Sequence, residues 1–319
     1  MNKLPQVSIA LCTYNGAKFL EQQLDTLVNQ TYKNIEIVVV DDCSTDGTLV
    51  ILNKYAIQYP QFQVYQNKNN LGFTRNFEKV VNLCKGDLIA LCDQDDIWHP
   101  QKIELQVNAI SDNVLIYHDS EFIHEDGSSM NKKMSDVMNL YSGNHPQVFF
   151  FFNCVSGHSI LMKRELLAVS LPLKEDYFHD WWLAYVATNI GSIDYLPQCL
   201  VKYRQHDKSD TNILRLKRKK EIHKFSSVNK LRRTYQWLAH CVSFDKNRDQ
   251  KLIEQFYDAF TVRMHKYVSL KLSILLFNHR NLIFFIRKKS KVNRLNYIYS
   301  QIWGLRIKEV LSNNSDNKG

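Results

Sequence analysis

Five short apolar runs alternate with segments of helical period, and no other feature of the chain restricts its fold as much. The runs are Val7 to Leu11, Ile35 to Val40, Phe62 to Tyr65, Leu88 to Cys92 and Val114 to Tyr117. Parallel strands need a long crossover between neighbours and are covered on both faces, so runs of this kind separated by helices predict a βαβ architecture. The helical segments agree with it. Phe19, Leu20, Leu24, Leu27 and Val28 share one face of the first, and Leu49, Ile51, Leu52, Tyr55 and Ala56 share one face of the second. A third carries Phe77, Val80, Val81 and Cys84 and is expected to stop at Gly86. A fourth follows Pro100, which suits a first helical turn, with Ile103, Leu105, Val107 and Ile110.

Three of the apolar runs end in polar turns: Thr13-Tyr14-Asn15-Gly16, Asp42-Cys43-Ser44-Thr45-Asp46-Gly47 and Asp93-Gln94-Asp95-Asp96. Open α/β sheets bind ligands outside the carboxyl ends of their strands, so these turns mark the expected site. Asp93 and Asp95 stand two residues apart, a spacing that suits Mg2+ or Mn2+ bound chiefly through substrate phosphates. Asp41 and Asp46 fit turn-bracing and capping roles, and Asp96 is expected to orient Trp98 or cap the helix at Pro100. Asp180 opens a helix from Trp181 to Ile190 that ends at Gly191, and it fits either a helix cap or a catalytic base. Trp181 and Trp182 point to different sides, so one at most can stack on a sugar while the other packs in the core.

The chain has 319 residues, 45 % of them hydrophobic, enough for a full core. Seven scattered cysteines without a C-x-x-C pair argue against a zinc site or a disulfide framework and favour a reducing cytoplasm. Lys3 is the only charged side chain ahead of the first run, which is too short for a secretory leader. The net charge of +9 hides an asymmetry: residues 1–210 carry −8 and residues 211–319 carry +17. A catalytic domain over 1–210 and a basic, mainly helical region over 211–319 are therefore expected. The basic part would meet an anionic membrane surface or a nucleic acid, with a merely solvated helical face as the plainer alternative.

Within that region Lys217 to Lys220 and Arg287 to Lys291 form basic clusters. Val268 to Ile286 is interrupted by Lys271 and by Asn278-His279-Arg280-Asn281, too polar for a spanning helix. It is expected to form an interfacial pair with Leu272, Ile274, Leu275, Leu276, Phe284 and Phe285 toward acyl chains. Glu121 to Asn144 predicts a loop or short hairpin, and Phe149 to Phe152 a buried strand.

Two enzyme classes lack their motif. The first turn has no G-x-G-x-x-G, and Val155-Ser156-Gly157-His158 is no G-x-S-x-G elbow. The series VSIALCTYNG, IEIVVVDDCSTDGT, NLGFTRN, GDLIALCDQDDIWHP and HDWWLA resembles the family 2 glycosyltransferases, in order and spacing, over about residues 5 to 210. The resemblance implies a GT-A fold and an inverting enzyme that moves a sugar from a nucleoside diphosphate to an acceptor hydroxyl in cell-surface polysaccharide synthesis. It further implies that Thr13, Tyr14 and Asn15 border the nucleoside, that Asp42 meets the base edge, and that Arg75 lies near the nucleotide or diphosphate. Asp93 would lie near the ribose or sugar, Asp95 on the metal, and Asp180 would be the general base.

His206 is an additional candidate ligand, and Gly157, Trp181 and Arg204 are candidates for contact with acceptor or diphosphate. His179 departs from the acidic residue the family often shows before the base. The DQDD turn before Ile97-Trp98, with Tyr203-Arg204-Gln205-His206, resembles a bacterial branch that includes rhamnosyltransferases acting on glycans or lipid-linked glycans. The competing expectation from a different class is a noncatalytic polyanion binder whose basic tail holds RNA.

Overall fold

The computed structural model describes residues 4–206, 214, 227–305 and 307. The first half alternates as the sequence predicts: β1 (Val7–Thr13), α1 (Ala17–Val28), β2 (Ile35–Asp41), α2 (Thr48–Gln58), β3 (Phe62–Gln66), α3 (Phe73–Leu83), β4 (Leu88–Cys92), β5 (Ile97–Trp98) and α4 (Lys102–Ile110). Then follow β6 (Leu115–Ile123), β7 (Ser129–Lys133), α5 (Met134–Val137), β8 (Leu161–Lys163), α6 (Arg164–Ser170), α7 (His179–Ile190) and β9 (Ile193–Arg204). The strands form one sheet in the order β3-β2-β1-β4-β8-β6-β9-β5, with β7 paired to β6.

The long ladders of this sheet are parallel. β1 pairs β2 and β4, β2 pairs β3, and β6 pairs β9 in that sense, while the antiparallel joints through β5, β7 and β8 are short. β1, β2 and β4 are buried along nearly their whole length, which is why they read as continuous apolar runs and not as alternating ones. Leu20, Leu24 and Leu27 of α1 and Leu52 and Tyr55 of α2 close the core against β1 and β2. This is the expected α/β sheet flanked by helices.

Two expectations change, and one strand was not expected. α3 ends at Leu83, and Cys84 is already extended, so Gly86 is not its terminal glycine. A Cβ at Gly86 would lie 2.7 Å from the Gln6 carbonyl and from the Ser8 amide nitrogen, so this glycine lets two backbones approach closely. β9, twelve residues long, has no apolar run to announce it and contains Pro197. Its ladder with β6 slips register between Leu196 and Val201, which accommodates a residue without an N–H. The second change concerns Phe149 to Phe152. They form no strand; Pro146–Phe149 is a 3-10 turn, for which Pro146 supplies the starting φ.

The chain divides into two compact units, one of residues 1–144 and 154–216, the other of residues 145–153 and 217–319. The expected boundary at Asp210 and the Lys217 to Lys220 cluster lie outside the described residues. The second unit contains α8 (Ser227–Val242), α9 (Gln250–His265), α10 (Lys271–Asn278), α11 (Arg280–Ile283) and α12 (Lys291–Ser300). Segment 145–153 belongs to it by its contacts. Phe150 packs edge-on against Phe256 at 5.4 Å, and Phe152 lies 6.0 Å from Phe284 with Arg287 over its ring. No described helix is long and apolar enough to cross a membrane.

Candidate active site

Because β1, β2 and β4 are parallel neighbours, their carboxyl ends bring the three polar turns to one edge, as the sequence predicts. Hydrogen bonds then tie the turns together. The Tyr14 N–H donates to Gln94 Oε1 at 2.9 Å, and Gln94 Nε2 donates back to the Tyr14 carbonyl at 3.1 Å. A Cβ on Gly16 would run into the end of the Gln94 side chain, so the fork from Gln94 to the first turn keeps its place only if that position has no side chain. Asn15, at φ 48°, donates its N–H to Ser44 Oγ and accepts the Thr45 N–H on Oδ1, both at 2.9 Å.

Asp41 is buried and accepts from Thr13 Oγ1 at 2.9 Å, Ser44 Oγ at 2.5 Å and the Ser44 N–H at 2.9 Å, which makes it a brace of the second turn. Asp46 accepts the Thr48 N–H at 3.0 Å and the Ala17 N–H at 3.1 Å. Burial pushes its carboxyl up, but the Thr48 and Ala17 hydrogen bonds outweigh it and hold the group below the ordinary carboxylate range.

Asp42 turns toward the loop before α3. Its Oδ1 accepts from Asn67 Nδ2 at 2.6 Å and the Leu71 N–H at 2.8 Å, and its Oδ2 accepts the Gly72 N–H at 2.9 Å. Gly72, at φ 81°, provides the left-handed turn that points those donors inward. Arg75 lies exposed on α3 and pairs with Glu175 at 2.8 Å and Glu78 at 3.4 Å. Thr13 is buried beneath the turn, whereas Tyr14 keeps 49 % of its surface exposed.

The acidic turn is held by β9 and by a 3-10 turn at Gly157–Ser159. Arg204 is only 2 % exposed, and its guanidinium donates to the carbonyls of Asp95 and Glu125, each at 2.8 Å, and to Gln22 Oε1 at 2.7 Å. It therefore braces the acidic turn through its backbone. Asp95 Oδ2 lies 2.7 Å from His206 Nε2, so the two candidate ligands meet despite a separation of 111 residues.

Asp96 neither caps α4 nor orients Trp98, as the sequence had suggested; its Oδ1 accepts the Arg204 N–H at 3.0 Å. Oδ2 is buried without a hydrogen-bond partner, 3.8 Å from His158 Nδ1. Burial, and then the charges of Asp95 and Asp93, raise the Asp96 carboxyl well above its ordinary range. Burial drives the His158 imidazole down to about 3, with Lys102 adding to the effect, so the ring is neutral and can offer a lone pair.

Asp93, Asp96 and His158 place one ligand atom each within 4.8 Å of one another. Ser120 Oγ meets His158 Nε2 at 2.9 Å and orients the ring. Two carboxylates, one of them with its buried oxygen orphaned, and one imidazole fit a Mg2+ or Mn2+ ion. No local pattern marks His158 as a ligand; it approaches the acidic turn because β8 pairs with β4.

Asp180 lies in the first turn of α7 and accepts the Trp181 N–H at 2.6 Å, and the Gly157 N–H donates to it as well. Burial nevertheless pushes its carboxyl up to about 7 against those bonds. Gly157 and His158 are consecutive, so one short turn touches Asp180 on one side and the acidic cluster on the other. A Cβ on Gly157 would sit 3.1 Å from His179 Nε2. His179 itself is buried, stacked on Phe77 at 4.3 Å, and burial lowers its pKa to about 4, so Asp180 has a neutral neighbour. Of the two tryptophans, Trp182 is the core residue, donating Nε1–H to the Ser170 carbonyl at 2.8 Å, while Trp181 stays half-buried.

The sequence agrees with the family model described as glycosyl transferase family 2 over residues 8–169, just over half of the chain. An uncharacterized glycosyltransferase of Haemophilus influenzae is 28 % identical over 228 residues, covering 67 % of this chain and 69 % of the relative. One from Rickettsia typhi is 31 % identical over 220 residues, covering 65 % and 66 %. The chain thus spans about two thirds of the length of these curated relatives.

Among solved structures, S. aureus TarS in complex with UDP-GlcNAc superposes with a TM-score of 0.57 at 15 % identity, covering 93 % of this chain and 88 % of that one. The mannosyltransferase PcManGT from Pyrobaculum calidifontis, in complex with GDP-Man and Mn2+, gives 0.52 at 16 % identity, covering 99 % and 88 %. At such identities the likeness concerns the fold, which is GT-A. With the motif series, the sheet and the family model in agreement, the chain belongs to glycosyl transferase family 2.

Proposed function

We propose that the chain is an inverting glycosyltransferase that moves one sugar from a nucleoside-diphosphate donor to a hydroxyl of a growing cell-surface glycan, with Asp180 as general base. The observation that carries this reading is the link through Gly157 and His158, which joins a carboxyl with a pKa near 7 to the acidic turn at the sheet edge. A base poised near neutrality can accept a proton from an alcohol as the alcohol attacks. The acceptor oxygen then bonds to the anomeric carbon, the bond from that carbon to the diphosphate oxygen breaks on the opposite face, and the configuration inverts. Negative charge collects on the departing diphosphate.

Thr13, Tyr14 and Asn15 would border the nucleoside, and Asp42 would present its edge of the loop to the base. Asp93 would lie by the ribose or sugar, with Arg75 beside the phosphates once Glu175 releases it. Mg2+ or Mn2+, held by Asp95 with His206 or by Asp93, Asp96 and His158, would supply Lewis-acid stabilisation of the diphosphate charge. Arg204 serves by fixing the turn, and Gly157 and Trp181 would edge the acceptor side. A rhamnosyl or other hexosyl donor fits the motif resemblance.

The acceptor is a glycan or lipid-linked glycan met at the cytoplasmic face of an anionic membrane, to which the basic C-terminal part would bring the enzyme. A panel of UDP-, dTDP- and GDP-sugars, scored by released nucleotide with and without Mn2+, tests the donor and metal parts. Release from none of them in either condition would remove the reading.

A further inference from the structure

The structure shows which side of the C-terminal unit meets water with apolar groups, and it matches the sequence expectation only in part: of the expected set Ile274 and Phe285 are exposed. Leu272, Leu276 and Phe284 are buried inside that unit, Phe284 beside Phe152, so they cannot face lipid. Other side chains stand out instead. On α10 and its lead-in, Leu270, Ile274 and Phe277 follow the i, i+4, i+7 spacing of one face and are 58 %, 57 % and 46 % exposed. On α12, Val292, Leu295 and Tyr299 do the same at i, i+3, i+7.

The two stripes are joined at one end. The Ser269 N–H donates to the Ile302 carbonyl at 2.9 Å, Val268 bridges Trp303, and the Trp303 ring meets Tyr299 edge-on at 6.4 Å. Val268 and Trp303 are themselves exposed. In the same stretch of chain Lys266, Lys271, Arg280, Lys288, Lys289 and Lys291 are exposed as well. Between Asp258 and Glu309 the sequence has eleven Lys or Arg and no Asp or Glu.

We propose that this apolar ridge, made by Leu270, Ile274 and Phe277 together with Leu295, Tyr299 and Trp303, is the surface on which the protein docks to an anionic lipid bilayer. The proposal deepens the membrane part of the function given above and shares its partner class. Aliphatic side chains gain by leaving water for acyl chains, Tyr and Trp favour the headgroup level, and the exposed cations of the same stretch meet anionic headgroups with no carboxylate among them to repel the surface. RNA would satisfy the cations but leave Leu270, Ile274 and Leu295 in water. A second copy would cover the aliphatic groups but bring two strongly basic faces together.

Flotation of the full chain with phosphatidylglycerol–phosphatidylcholine vesicles tests it, beside a phosphatidylcholine control. The wild type should float with the anionic vesicles and lose that binding in high salt. The triple variant Leu270→Ser, Ile274→Ser, Phe277→Ser should bind at least about tenfold more weakly, and so should Lys288→Glu, Lys289→Glu, Lys291→Glu. Donor hydrolysis measured without vesicles should be unchanged in both variants, which separates failure of the surface from failure of the transferase. Equal flotation of the wild type and both variants overturns the proposal. So does flotation abolished by nuclease, or a vesicle-free dimer that the triple variant dissolves.

Discussion

At the scale of single residues, burial sets the protonation of the site. Asp180 accepts two backbone N–H bonds that favour its charged form, yet desolvation wins and the pKa rises to about 7. A general base works as the carboxylate, so turnover should rise with pH through about 7 and level off above it. Asp180→Asn should abolish that dependence and lower kcat by about 10²- to 10⁴-fold while donor affinity stays within about threefold. A steady-state pH profile with a binding titration checks both.

The metal assignment is also a matter of single oxygens. Asp95→Ala should weaken Mn2+-dependent donor binding at least about tenfold, read by calorimetry with and without the ion, because it removes a ligand where phosphate charge must be balanced. Asp96→Asn leaves the N–H of Arg204 an acceptor and replaces only the orphaned buried oxygen. It should cost less than about threefold if the cation sits at Asp95 and His206, and as much as Asp95→Ala if it sits at the inner triad.

At the scale of elements, close approach between backbones decides where glycine is needed. Gly86→Ala places a Cβ 2.7 Å from two backbone atoms, the Gln6 carbonyl oxygen and the Ser8 nitrogen at the start of β1, and backbone cannot swing aside as a side chain can. Overpacking of that kind costs about 1–3 kcal/mol, so the variant should melt at a lower temperature in a calorimetric scan with its site chemistry intact. Gly16 is a different case, since its Cβ would meet only the end of Gln94. Gly16→Ala should separate the first turn from the acidic turn, lowering donor affinity with little loss of stability. Combined with Gln94→Ala it should add almost nothing, as residues acting through one contact do not add. The three polar turns were legible because each follows an apolar run. The fork by which Gln94 joins two of them was not, because no local pattern records a contact across 80 residues.

At the scale of the whole molecule, segment 145–153 is the unexpected feature. It leaves the sheet-bearing unit and supplies Val148, Phe149 and Phe150 to the core of the C-terminal helices. A chain ended at Asp210 would leave Phe150 without Phe256 and Phe152 without Phe284, and each apolar side chain returned to water costs about 1.5–3 kcal/mol. That truncation should aggregate in gel filtration, and replacing Phe150 and Phe152 by Ser should restore much of its solubility.

The sequence by itself determined the βαβ alternation, the order of β1 to β4 along the chain, the polar turns at their carboxyl ends and the uneven charge, because periodicity and composition are local properties. Only the tertiary structure decided that His158 and His206 reach the acidic turn, that Arg204 holds it, and that Ile274 meets water while Leu276 does not. Those facts depend on which distant segments pack together, and burial, which sets both pKa and exposure, is a property of the packed chain and not of any stretch of it.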